Sequence, residues 1–85
     1  MFEPLTKLVE VRGESIRVTE LTAEQALEFG QRAQDGETEG FMVDLVAVAT
    51  GHEPDTVRTW PFAVVQVLFD AAQAISGLAG DVEGN

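Results

Sequence analysis

The sequence predicts a small α+β fold, mainly helical: an N-terminal β-hairpin followed by three main helices, with a short helical corner before the last. Three observations predict it. Val and Ile recur with period two in "KLVEVRGESIRVTEL", on either side of a Gly-Glu pair. From residue 22 onward the apolar residues change to helical spacing and are bracketed by start and stop residues. The chain has 85 residues, and a chain of that mass goes from roughly 13,000 Å² exposed when unfolded to about 5,000 Å² when folded, enough to bury one core. A single domain over residues 1–79 follows, with the hairpin at 5–20, the helical part at 22–76, and a flexible tail at 80–85.

In the hairpin, Gly13 and Glu14 read as a two-residue II′ loop, with Gly13 taking the positive φ. Arg12 then faces Ser15, Val11 faces Ile16, Glu10 faces Arg17, Val9 faces Val18, Leu8 faces Thr19 and Lys7 faces Glu20. This register gathers Val9, Val11, Ile16 and Val18 on one face and matches Glu10 to Arg17 and Lys7 to Glu20 in charge. An isolated hairpin is marginal in water, so a helix covers its apolar face or its edge pairs with another chain.

The first helix, in "LTAEQALEFGQRAQDG", carries Thr22 as N-cap, Gln25 to close a capping box, Leu21 as staple and Gly36 as stop. Its inward stripe reads as Ala23, Ala26, Leu27, Gly30 and Ala33, with Phe29 to one side. The acidic loop "QDGETEG" leads to a second helix, Phe41 to Thr50, with Thr38 as cap, Gly51 as stop and Asp44 as its one charged residue. Apolar nearly all round, it belongs at the centre, with a strand as the competing reading because of its Val residues.

The corner "GHEPDTVRTWPF" holds the chain's one His and one Trp. Pro54 suits the first position of a helical turn, Glu53 and Asp55 suit the positive end of its dipole, and Thr59 caps the last helix ahead of Pro61. Val57 and Trp60 fold back onto the core. In the last helix, "FAVVQVLFDAAQAISG", Gln66, Asp70, Gln73 and Gly77 line up within about 40° as a solvated face. Phe62, Val65, Phe69 and Ala72, with part of Val64, Leu68 and Ile75, divide between core and interface, and the first four are the candidate partner-binding residues.

Fifteen Asp and Glu against five Lys and Arg give a net charge of −10. Direct binding to nucleic acid or to an anionic membrane needs a basic surface and is not expected. Acidic charge serves solubility first and a basic partner second. Without cysteine there is neither disulfide nor thiolate chemistry. "MFEPLTKLVE" shows no leader pattern, and no apolar run approaches the ~20 residues of a membrane span, so a soluble cytoplasmic protein is expected.

Catalytic, metal and cofactor residues are all expected to be absent. His52 lacks the second histidine, cysteine or convergent carboxylate pair that metal or acid–base chemistry needs. Ser15 and Ser76 have only distant His52 as a base, and "GQRAQDG" lacks the Lys-Ser/Thr of a phosphate loop. Neither "VDLV" nor "PDTV" supplies the serine of an acyl carrier protein. The chain is not expected to be an enzyme.

In its order of parts the sequence resembles the small tail assembly chaperones of long-tailed bacteriophages. The resemblance covers residues 5–79. It rests on "VEVRGESIRVTELTAEQALEF", with its V-x-x-L-T-x-x-x-A-L-E lead-in to the first helix, on "TGHEPDTVRTWPF", and on "VVQVLFDAAQAISGL". It implies a non-catalytic chaperone that coats the tape measure protein, helps recruit tail tube protein, acts in the cytoplasm of the infected host and is absent from the mature virion. Many members also have a longer form made by frameshifting near the end of the short reading frame. A homo-oligomer is left open. The rival readings are an acidic DNA-mimic inhibitor, disfavoured because the acids gather in loops and caps, and a structural virion subunit.

Overall fold

Strands β1 (Thr6–Val11) and β2 (Glu14–Thr19) pair antiparallel as a two-stranded sheet. Four helices follow: α1 (Ala23–Gln34), α2 (Phe41–Thr50), α3 (Pro54–Val57) and α4 (Phe62–Ile75). They come from a computed structural model that describes residues 2–78. The tail expected at 80–85 lies outside the described residues. The architecture is the α+β hairpin-plus-helices arrangement read from the sequence.

The hairpin turns one residue earlier than expected. Arg12 and Gly13 form the loop, with φ of 52° and 83°, the two positive angles of a type I′ turn, whose twist matches that of the strands. Thr6 pairs with Thr19, Lys7 with Val18, Leu8 with Arg17, Val9 with Ile16, Glu10 with Ser15 and Val11 with Glu14. The partners are displaced by two from the expected register, and an even displacement keeps every side chain on its face. Val9, Val11, Ile16 and Val18 therefore still share the inner side, while the expected Glu10–Arg17 and Lys7–Glu20 matches are lost. Exposed ion pairs contribute about 0–1 kcal/mol, too little to overrule the turn. Glu20 holds the arm before β1: its carboxylate accepts from the Leu5 N–H at 2.9 Å, and its own N–H donates to the Leu5 carbonyl at 2.9 Å.

Helix α1 starts as its sequence says. Thr22 Oγ1 accepts from the Gln25 N–H at 3.2 Å, and Gln25 Oε1 accepts from the Thr22 N–H at 3.0 Å, which closes the capping box. Its inward stripe is a correction. Leu27 is 75% exposed, Ala23, Gly30 and Ala33 are exposed, Ala26 is half-buried, and Phe29 is the residue α1 buries. One phenylalanine offers more apolar area than a row of Ala and Gly, so the helix rolls to seat Phe29 against Phe41, edge to face at 5.4 Å.

Helix α2 runs from Phe41 to Thr50 and buries Leu45, Val46, Ala47 and Ala49. It is a helix and not a strand, and it packs against β2, α1, α3 and α4. Its N-cap is Gly40, without a side-chain cap bond. Thr38, expected in that role, instead offers its carbonyl to the Phe41 N–H at 3.1 Å. At the far end Gly51 takes φ 75°, which lets the N–H groups of Gly51 and His52 both reach the Ala47 carbonyl, at 2.9 and 3.0 Å.

In the corner Pro54 opens α3 and Val57 is fully enclosed. Thr59 does not cap α4. Its hydroxyl donates to the Thr56 carbonyl at 2.7 Å, and Pro61 occupies the cap position, its carbonyl accepting from Val64 and Val65 at 3.0 and 3.1 Å. Proline's fixed φ already holds the extended conformation an N-cap needs, so no side-chain oxygen is required to set it. Along α4, Gln66, Asp70 and Gly77 are exposed and Gln73 is half-buried, the solvated face that the spacing predicts. Val18, Leu45, Val46, Val57 and Leu68 form the centre of the core, drawn from β2 and three helices.

Candidate partner-binding surface

Residues 62, 65, 69 and 72 lie on one stripe of α4 because steps of three and four return to the same side of a helix. That stripe is mostly core. Ala72 is 0% exposed and Val65 is 4% exposed, so both belong to the interior. Phe69 is half-buried, its ring edge-on to Phe41 at 6.2 Å. Phe62, in the first turn of α4, is 70% exposed. Of the four candidates, it is the one that offers free apolar surface.

Phe62 borders a groove between the starts of α2 and α4 and the α3 corner. The cavity, about 320 Å³, is walled by Met42, Val43 and Trp60 above the enclosed Val57 and Val65, with Arg58, Thr38 and Gly40 completing the lining. Three local devices make it. The left-handed Gly40 brings the chain sharply into α2 and presents Met42 and Val43 in its first turn. The Pro54 turn delivers Val57 to the core and leaves Arg58 outside. Pro61 then starts α4 with Phe62 facing outward. The walls are apolar and the cation is single, an arrangement that can bury an aliphatic or aromatic side chain and orient a nearby acid.

Met42, Val43 and Arg58 were not singled out from sequence. Helix α2 is apolar on every side, so periodicity could not say which of its residues would border the surface. Arg58 sat in the corner with no assigned partner.

The remaining chemistry-bearing residues are engaged in structure. His52 is exposed, and its ring meets Trp60 edge to face at 5.1 Å and 78°. Ser76 Oγ accepts from the Leu21 N–H at 2.9 Å, and Ser15 Oγ donates to Glu10 at 3.5 Å. Arg32 pairs with Asp44 at 3.0 Å, and its guanidinium carbon lies 5.6 Å from the ring centroids of both Phe29 and Phe41. Among the described residues no three His, Cys, Asp or Glu converge as metal ligands, and no helix is long and apolar enough to cross a membrane.

No family model matches the chain, and no solved structure matches it. It is similar to a segment of the heme A synthases of Listeria welshimeri, Listeria monocytogenes and Listeria innocua, 33% identical over 72 residues, which is 85% of this chain. The chain spans 24% of the length of these relatives.

Proposed function

We propose that the protein is a non-catalytic tail assembly chaperone of a long-tailed bacteriophage. It binds the tape measure protein, the tail tube protein or both during tail morphogenesis, in the cytoplasm of the infected host, and is left out of the mature virion. The observation that carries this reading is the exposed Phe62 beside an apolar groove. A chaperone for chains with unpaired apolar helices needs such a surface, and an amphipathic helix laid over Phe62 would cover both ring and groove. The net charge of −10 keeps the loaded complex dispersed. The order of sequence motifs, from the hairpin lead-in to the Thr-Gly and Trp-Pro corner, supports the choice of partner. No catalytic role is proposed from the likeness to a segment spanning 24% of heme A synthase.

Co-expression with a tape measure protein tests the proposal. The wild-type chain is expected to raise the soluble fraction of its partner and to elute with it, and Phe62→Asp to abolish both while keeping the wild-type melting curve. A partner whose solubility ignores the wild-type chain overturns the reading. Recovery of the chain at stoichiometric levels in mature virions replaces it with that of a structural subunit.

A further inference from the structure

The hairpin leaves one side of β2 open onto a second groove. Glu14, Ser15, Ile16 and Arg17 are consecutive and so belong to both faces of the strand, yet all four line one cavity of about 500 Å³, with Trp60 and Val64 among its other walls. Because these residues alternate between the faces, the cavity reaches the edge of β2, and it also extends to Val11 and Arg12 beside the turn. The i to i+3 bond that closes a two-residue turn makes Val11 and Glu14 a hydrogen-bonded pair, and antiparallel alternation then points the N–H and C=O groups of Ser15 and Arg17 away from β1. No backbone bond to these groups is found elsewhere among the described residues. An unpaired edge inside a cleft is a template for one more strand. Two of the chain's five cations, Arg12 and Arg17, line this cleft against a single acid, Glu14.

The opposite end of the same hairpin carries a segment that fits. Phe2-Glu3-Pro4-Leu5 precedes β1, with Phe2 97% and Leu5 61% exposed. In an extended chain Phe2 and Glu3 project to opposite faces, as Ile16 and Arg17 do on β2. Phe2 can thus meet Ile16 and Trp60 while Glu3 meets Arg17. With the arm antiparallel to β2 and Phe2 opposite Ile16, the Pro4 nitrogen points away from β2, so its missing N–H costs no bond to that strand.

We infer that the arm Phe2–Pro4 of a second copy of this chain adds to β2 along Ser15–Arg17 as a third strand. The chain's own arm cannot do so. Leu5 is fixed beside Glu20 by two hydrogen bonds, and the segment Phe2–Pro4 itself spans about 10 Å at most, too little to reverse around Glu20 and lie along the far edge of β2. Arm and cleft are different surfaces, so the contact is heterologous and each associated pair keeps one free arm and one free cleft. The inference does not depend on which protein the Phe62 groove receives.

Sedimentation of the full chain tests it, with concentration-dependent association expected for the wild type. Phe2→Asp and Arg17→Glu alter exposed side chains outside the core, so each keeps the wild-type melting curve, and each weakens association about tenfold or more. Mixed in equal amounts, the two variants form a one-to-one pair, because one retains a sound cleft and the other a sound arm. A synthetic peptide of residues 2–7 shifts the emission of Trp60 to shorter wavelength. A wild type that stays monomeric at about 1 mM, variants that associate as strongly as the wild type, a mixture that does not pair, or an unmoved Trp60 emission each overturns the inference.

Discussion

The backbone N–H of Leu21 donates to the hydroxyl of Ser76 at 2.9 Å, joining positions 55 residues apart. Leu21 is itself buried, so its N–H has little access to water as a substitute partner. The bond ties the link between hairpin and α1 to the last turn of α4. Ser76→Ala leaves that donor unpaired and is expected to cost about 1–3 kcal/mol. For a domain of this size each kcal/mol lowers Tm by about 4–8 °C. Thermal unfolding followed by circular dichroism checks it, and an unchanged Tm would show that water serves Leu21 equally well.

The Arg32–Asp44 pair predicts an asymmetry. The two side chains are 25% and 33% exposed, so solvent screening limits their mutual coupling to about 1 kcal/mol or less. Arg32 also lies over two aromatic rings, each contact adding about 0.5–1 kcal/mol. Arg32→Ala should therefore destabilise more than Asp44→Ala, and raising salt should shrink the coupling measured by a double-mutant cycle in urea. Equal losses for the two variants would leave the rings without a role.

The roll of α1 is tested by two leucines. Leu68 is fully enclosed and Leu27 lies on the surface. Leu68→Ala is expected to cost about 2–5 kcal/mol, a large share of the ~4–13 kcal/mol available to a chain of this length. Leu27→Ala should stay within about 0.5 kcal/mol of the wild type. Urea midpoints at constant m-value distinguish them, and a costly Leu27→Ala would restore the stripe expected from sequence.

Two backbone positions should respond in opposite directions. Arg12 holds a positive φ at a position where Asn is favoured, so Arg12→Asn should stabilise by up to about 1 kcal/mol. Gly51 has no atom within 4 Å of an added Cβ, and Gly51→Ala should still cost about 1–2 kcal/mol through φ alone. Chemical denaturation of both variants checks the pair. A destabilising Arg12→Asn would mean that the arginine side chain makes contacts in the turn that outweigh its strain.

What could be read from the sequence depended on how local each signal was. The capping box of Thr22 and Gln25, the Gly51 stop and the Pro54 turn are set by residues a few positions apart, and all form as read. The hairpin register differs from the expected one because Arg12-Gly13 and Gly13-Glu14 both present one glycine. Their difference lies in the φ of Arg12, which composition does not reveal. The faces survived because the displacement was even. The α1 stripe differs from the expected one because counting apolar positions gives Ala and Gly the same weight as Phe29, whereas burial scales with area. At the candidate surface the 62, 65, 69, 72 spacing was sound, but a stripe of that kind serves core and partner alike. Only the three-dimensional packing, which covers Val65 and Ala72 and leaves Phe62 70% exposed, separates the two roles.

Helix α1 meets the remainder of the molecule chiefly on α2, through the ring of Phe29 and the guanidinium of Arg32. Helix α2, by contrast, is hemmed in by β2 and three helices. Such uneven anchoring grades the opening of the fold: amides in α1 trade their hydrogens with solvent through a small lift of one helix, while those in α2 must await disruption of the whole. Phe41 meets Phe29 of α1 on one side and Phe69 of α4 on the other, so its ring joins the lightly anchored helix to the firmly held one.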